Sequence, residues 1–464
     1  VFHAIRRAAL LCCCLPTLAH ASGLTFGENG ARALSLGGAF AGQADDLTAI
    51  QHNPAGLALQ RKGFSFLVDG QLNNQEVTFQ KRNAAGADEG NLVSNTAGPF
   101  PTPFVALGYG LELGGKAFTV ALGAYGPPAV GRYVYPSPNY AVNESGRLVE
   151  NPAKFAPQRY ALVEANTLLA YPGISVAYRV HERISVGASL QYVFSDLYFQ
   201  QYLTAAPELG DPRLDAKVEV KMKGRPGVTG VLGVMATVTD TLQVGASVRP
   251  PVPVAADGQL VITLGDLLKD TAKVNGDRAS LFLSMPLEIK LGAHWKPLPA
   301  LSVNVDLVYE GWDSFSDLVI QPNGITQQVG NGTPVPLETL RIPKKWRSTL
   351  GARAGVGYTL PFGLQVRAGA LFEQQASENK YFNIDFPNPQ RLFVTGGVEY
   401  PVGPVSLLLT GAYSPTVSLA VTDSAVAQVT NNPAVPGQVV GNGVYTSGGW
   451  VASVGVRGNF GPQR

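Results

Sequence analysis

Cysteine is almost missing from this chain. The three that occur in 464 residues are consecutive, Cys12, Cys13 and Cys14. Nothing after position 14 can form a disulfide, act as a thiol nucleophile or bind a metal through sulfur. The residue before each cysteine is Leu or Cys, not the small residue that a lipid-anchor site requires. Charge is also scarce: charged residues make up 15% of the chain and the formal net charge is +2. With no basic stripe, no nucleic-acid partner is expected. No apolar run approaches the roughly 20 residues of a membrane-spanning helix. His52, His181 and His294 are isolated from one another, so neither a metal nor another cofactor is expected.

The first residues read as a targeting segment. Arg6 and Arg7 precede an apolar stretch from Ala8 to Leu18, then Ala19-His20-Ala21 supplies a small-residue cleavage site. Residues 1–21 are therefore read as a signal peptide, with the mature chain beginning near Ser22.

Beyond residue 60 the dominant signal is a period of two. In 301–312 Leu301, Val303, Val305, Leu307 and Tyr309 alternate with Ser302, Asn304, Asp306 and Glu310. In 183–194 Ile184, Val186, Ala188, Leu190, Tyr192 and Phe194 oppose Ser185, Gly187, Ser189 and Gln191. Such segments are strands that divide two environments. They are long for a soluble sheet. Aromatics stand near the ends of their apolar faces: Tyr309, Trp312, Trp346, Tyr358, Tyr400, Trp450 and Phe460. That placement suits the interfacial girdles of a transmembrane barrel.

Short and long connections alternate. Tight turns are read at 111–116, 180–183, 238–241, 297–300, 360–363 and 400–404. Long loops are read at about 73–101, 125–158, 202–213, 250–280, 321–342, 376–389 and 413–446. Six turns and seven loops, with both termini on the turn side, imply about 14 antiparallel strands. An open edge in hydrocarbon leaves backbone groups unpaired, so the sheet must close. The tight turns are then periplasmic and the loops extracellular.

Before the strands comes "DDLTAIQHNPAGL", 45–57. Asn53-Pro54-Ala55-Gly56 has the residue order of a type I turn. The segment "GARALSLGGAFAGQADDLTAIQHNPAGL" followed by about 14 strands resembles the FadL family of outer-membrane transporters. Gly30 to Ala33, Ala44-Asp45-Asp46 and Asn53-Pro54-Ala55 match that family's N-terminal hatch. "VNVDLVYEGWDSF", with Trp312 and Phe315, and "IPKKWRSTLGARAGVGYTL" match later strands. The family's barrels usually finish on an aromatic residue; here four residues follow Phe460.

The resemblance implies an all-β transmembrane protein, a closed antiparallel barrel with a plug in its lumen. Residues 22–60 form the hatch, marked by Asp45, Asp46, Asn53, Pro54 and Ala55, and 61–464 form the barrel. It implies passive passage of long-chain fatty acids or, by the same route, aromatic or other neutral hydrocarbons, with lateral release into the membrane. Glycines 37, 38 and 42 would let the hatch pack closely on the wall, and Asp45 or Asp46 would cap a short helix. The expected partners are the hydrophobic small-molecule substrate, outer-membrane lipid and the barrel assembly machinery; the chain is expected to be a monomer.

Lumen-facing arginines are the candidate ligand groups. Alternation points Arg347, Arg353, Arg367 and Arg457 inward, with Lys290 and Arg249. A hairpin centred on Leu360 sets Arg353 opposite Arg367 and Arg347 opposite Glu373. Such a guanidinium can pair with a fatty-acid carboxylate, or form a charge ladder with Glu288, Glu310 and Glu373. The candidate lateral opening is a kink in the third strand at Gly123, Gly126, Pro127 and Pro128, which could equally be the strand's end. Pro172-Gly173 is a second break. A rim enzyme would need an acid, His or Ser cluster, and the loops contain no histidine, so no catalytic residue is expected. An open polar porin or a structural barrel is the remaining alternative, against which the hatch-like N-terminus speaks.

Overall fold

The computed structural model describes residues 23, 26–60, 62–126, 131–137, 140–142, 148–150, 156–204, 214–429 and 437–461. The signal-peptide reading of 1–21, and Pro127 and Pro128, lie outside the described residues.

Fourteen antiparallel spans close into a barrel. They are β1 Gly63–Lys81, β2 Phe100–Leu113, β3 Lys116–Tyr125, β4 Gly173–His181, β5 Ile184–Thr204, β6 Gly227–Thr239 and β7 Leu242–Arg249. The others are β8 Leu287–Leu298, β9 Leu301–Gly311, β10 Thr349–Thr359, β11 Gln365–Glu373, β12 Arg391–Val402, β13 Val405–Val421 and β14 Gly443–Phe460. Closure is made by β1 on β14, from Phe64↔Phe460 to Lys81↔Gly443. All six tight turns fall between strands at the places read from the sequence.

The loops are shorter than expected because several strands continue past a break. Beyond β4 lies Glu164–Ala170, beyond β6 Asp215–Gly224, beyond β7 Val252–Thr263 and beyond β8 Arg278–Met285. The breaks fall at Pro172, Pro226, Pro250-Pro251 and Pro286. Proline removes a ladder donor, but the backbone resumes pairing beyond it, so these prolines bend the wall and do not end it. The 250–280 loop is thus corrected to 264–277. Pro172 likewise marks a bend: its carbonyl accepts from Tyr192 N at 2.9 Å, and Tyr171 N donates to Tyr125 O at 2.8 Å.

The bend row also inverts the polarity of the wall. Below it, Leu190, Leu232, Leu307 and Leu409 face out and are more than half exposed, while Gln191, Asn304, Asp306 and Thr410 are buried inside. Above it, in 215–224, Val218, Val220 and Met222 are buried and Lys221 and Lys223 are exposed. With Leu260, Leu281, Ile320, Leu340, Trp312 and Phe315 they form one apolar core at the extracellular end. A strand alternates in both halves, so the sequence shows the period without showing which face is inside.

Tyr358, Tyr400 and Phe460 stand on the outer surface, where the girdle was expected. Trp312 and Trp346 do not: they are buried and meet edge to face, ring centroids 4.9 Å apart. The wall breaks at Trp312–Ser314 after β9 and between Leu340–Pro343 and β10, which turns both indoles inward. The same break corrects Arg347, which is exposed and pairs with Glu378 at 2.7 Å. Counting by twos from Arg353 fails across residues 344–348, which interrupt the strand.

Candidate functional site: a latched hatch beneath an apolar chamber

Residues 26–60 run through the barrel, with short helices α1 Ala31–Ser35 and α2 Ala49–His52 and a 3-10 turn Pro54–Leu59. None could hold itself together alone; the wall satisfies their backbone. Asp69 of β1 accepts from Ala31 N at 3.0 Å, and Thr410 of β13 donates to Ala31 O at 2.7 Å. Asp306 of β9 accepts from Phe40 N at 2.8 Å and Ala41 N at 2.7 Å. Ser247 of β7 donates to His52 O at 2.6 Å, and Ser189 of β5 to Ile50 O at 2.9 Å.

Close approach needs a wall without side chains. At hatch level β5 and β6 present Gly187 opposite Gly233, β7 and β8 Gly245 opposite Gly292, and β10 and β11 Gly355 opposite Gly369. A Cβ at any of the six would fall within 3.0 Å of hatch atoms. From the hatch side, Gly37 lies on the backbone of Ala370 and Gly42 on that of Ala293.

The hatch signature residues divide the work. Asn53 sets the corner: its Oδ1 accepts from Ala55 N at 3.2 Å, and Gly56 N donates to Asn53 O at 3.0 Å, closing the turn through Pro54. Its Nδ2 reaches Ala41 O at 2.9 Å and Val234 O of β6 at 3.1 Å. Asp46 caps the turn before α2, accepting from Thr48 N at 2.8 Å. Asp45 pairs with Arg32. Gln60 Nε2 fastens the end of the segment to Asp45 O at 2.7 Å.

The arginines are occupied. Arg353 pairs with Glu28 of the hatch, and Arg367 and Arg457 converge on Glu399. Burial alone would raise the Glu28 carboxyl; the Arg353 guanidinium, together with Lys290 and the Asn29 N–H, outweighs that and holds it below the usual carboxylate range. The β10–β11 register pairs Arg353 with Leu371 and Gly357 with Arg367, so the hairpin is centred two residues beyond Leu360. The turn closes through Leu360 N to Leu364 O at 2.8 Å. Lys290 is buried beside Glu288 at 3.4 Å.

Arg249 differs. At the end of β7, before Pro250, it donates to Gln191 Oε1 at 2.8 Å and Tyr125 OH at 2.6 Å, and its guanidinium lies 5.3 Å from the Tyr171 ring centroid. Among the described residues its hydrogen bonds go to these neutral groups and no carboxylate lies within ion-pair distance, although Glu288 stands opposite it on β8. It lines a cavity of about 70 Å³ with Tyr125, Met285 and Trp312 and with the charged Glu28, Glu288, Glu310 and Arg353, between hatch and apolar core. The sequence showed Arg249 only as one inward arginine among several; its neutral hydrogen-bond partners come from other strands and could not be read locally.

The third strand carries the other feature. Gly123 is paired on both sides, with Ala106 of β2 and Gly173 of β4, so the wall does not part there. The β2–β3 ladder ends at Phe104↔Tyr125. Above it, Gly126 N reaches Pro103 O at only 3.4 Å, and Asn29 of the hatch donates to Gly126 O at 2.7 Å. Because the Pro103 carbonyl faces β3, its nitrogen faces β3 too, and so does that of Pro101. Neither carries a proton. The alternating prolines 99, 101 and 103 were a legible signal that the sequence reading passed over.

If Asp306 anchors the hatch, Asp306→Ala leaves two buried N–H groups unpaired, at about 1–3 kcal/mol each. Hydrogen exchange at Phe40 and Ala41 should then accelerate strongly while the β9 and β10 amides keep their protection.

A closed barrel with an apolar outer band, a polar lumen and a backbone-latched internal plug defines an outer-membrane transport barrel. The chain belongs to the outer membrane protein transport family OMPP1/FadL/TodX, whose model matches residues 12–460. Solved structures agree in fold. A Pseudomonas aeruginosa FadL homologue aligns with a TM-score of 0.71 at 16% identity, over 95% of this chain and 100% of that one. The Ralstonia pickettii toluene transporter TbuX gives 0.64 at 18% identity, over 93% and 98%. The P. putida toluene transporter TodX gives 0.63 at 16%, over 94% and 99%. No curated protein matches the chain. The protein is an outer-membrane transporter, and its cargo is hydrophobic.

Proposed function

We propose that the cargo is a long-chain fatty acid, passing through the apolar chamber, pausing with its carboxylate on Arg249 and leaving sideways between β2 and β3. The observation that carries this reading is Arg249 itself: a guanidinium whose hydrogen bonds go to neutral groups, with no carboxylate at ion-pair distance among the described residues, facing a cavity under an apolar core. A neutral hydrocarbon gives such a group nothing to bind, whereas a carboxylate forms charge-assisted hydrogen bonds with it. The cavity is smaller than an acyl chain, so side chains must move as the cargo arrives. A second reading, aromatic hydrocarbon, is favoured by the ring cluster around Trp346, whose centroid lies 4.9 Å from that of Trp312 and 4.8 Å from that of Phe315. Two of the solved structures named above, TbuX and TodX, are toluene transporters. Native mass spectrometry of ligands that co-purify decides between them: a carboxylated lipid supports the first, a neutral aromatic the second.

The lateral route follows from the prolines. An edge without donors is the cheapest place to part a ladder, and the Asn29–Gly126 bond couples that edge to the hatch. Changing Pro101 and Pro103 together to valine restores two donors facing β3. Fatty-acid uptake into cells or liposomes should fall severalfold with ligand affinity unchanged; unaltered uptake would remove the route. The lateral route, like outer-membrane lipid, the assembly machinery and the monomeric state, is part of this proposal.

A further inference from the structure

Loops cover surfaces, because buried loop backbone is hard to satisfy. The connection between β11 and β12, residues 374–390, breaks that pattern. It starts from the extracellular rim, yet residues 382–389 are all buried. Phe382 and Ile384 are 1% exposed and Asn388 is fully enclosed. Phe386 inserts its ring among Trp346, Phe315 and Phe199, with centroids 6.1–6.2 Å away. Phe382 packs edge-on to Tyr445 of β14 at 5.0 Å. The tip thus crosses the barrel from the β9–β10 side to the β14 side and fills the apolar chamber.

Its attachment is lopsided. The flanks are bonded through the backbone, Arg347 N to Ala376 O at 2.8 Å and Ala425 N to Lys380 O at 2.7 Å. The tip is not: among the described residues, 383–389 make no backbone ladder with the wall. Pro387 and Pro389 have no N–H to offer. What holds the tip is side chains, above all the buried pair of Lys344 with Asp385. The Lys344 ammonium also lies 5.0 Å from the Phe386 ring centroid.

We infer that residues 374–390 form a gate folded into the substrate chamber, and that Phe386 holds the place a hydrophobic cargo takes when the gate swings out. The inference rests on the transport reading above for its cargo, but not for its mechanics. An element tied at its flanks by backbone and at its tip by an ion pair and one long hydrogen bond, from the Tyr135 hydroxyl to Ile384 O at 3.5 Å, has a defined hinge and a defined latch. The apolar ring it withdraws is replaced by apolar cargo, so the chamber stays filled in both states.

The only cysteines are Cys12, Cys13 and Cys14, so with these three replaced by serine Ile384→Cys in the purified transporter reports the tip alone. A small anionic maleimide should label it slowly at rest and at least about tenfold faster with saturating oleate or toluene. Adding Asp385→Asn, which strands Lys344 without its partner, should give at least about the same gain with no ligand. Asn383→Cys serves as a second reporter should the first fail to fold, and heat-resistant migration on gels verifies the barrel. A labelling rate indifferent both to bound ligand and to Asp385→Asn would show a fixed strut and overturn the gate. If wild type binds neither oleate nor toluene, the transport reading fails, while the Asp385→Asn arm still decides the gate.

Discussion

Replacing Arg249 with methionine is expected to weaken oleate binding by about 10- to 100-fold, the worth of hydrogen bonds to a charged group. Toluene binding should stay within about threefold, because methionine keeps the stem's volume and removes only the charge. Equilibrium binding to purified protein in detergent measures both. Arg353→Met makes the informative contrast. Its guanidinium already serves Glu28, so removal leaves a buried hatch carboxylate without its partner, and the damage should appear as a leaky plug. If Arg249→Met bound oleate like wild type, the carboxylate role would pass to no other arginine described above, since Arg353, Arg367 and Arg457 face internal carboxylates. The neutral-hydrocarbon reading would then be preferred.

The second large effect is expected from one methyl-bearing side chain in the glycine belt. In Gly369→Val, the branched side chain must occupy the place of the Leu36–Gly37 backbone. Overpacking of this kind costs about 1–3 kcal/mol even where neighbours can shift, and here the neighbour is backbone. The hatch should leave the wall at that point, losing the 3.0 Å bond from Gly37 N to Thr395 Oγ1. The barrel itself should persist, because the β10–β11 and β11–β12 ladders are unaffected. Planar-bilayer recording should show steady ohmic conductance where wild type is closed. Gly411→Val, which faces lipid with no atom nearer than 4.0 Å, is the matched control. Closed bilayers with Gly369→Val would mean that the belt does not seat the plug.

Much of the architecture was legible because a strand's period is a local property. Asn304 and Asp306 against Val305 and Leu307 assign two faces without knowledge of any other strand, and the tight turns announce themselves through Gly, Pro and charged pairs. The strand count followed from alternation of connection length. The Asn53-Pro54 corner was equally local, since its turn and cap close within four residues. Three misplaced side chains share one cause. Arg347, Trp312 and Trp346 were placed by counting through stretches where the wall is interrupted, and a single interruption resets the parity of everything beyond it.

What the sequence by itself determined, then, is the alternation, the number of strands, the corner of the hatch and the family. Each is fixed by residues within a dozen positions of one another or by a matching segment. Only the tertiary structure decided which face lies inside above the proline row. The same holds for Arg249's neutral hydrogen-bond partners, for the two prolines that face β3, and for the loop at 374–390 that folds inward. These depend on groups brought together from separate strands and loops, such as Arg249 with Gln191 and Tyr125 or Lys344 with Asp385, and no local pattern carries that information. The register of a closed barrel does.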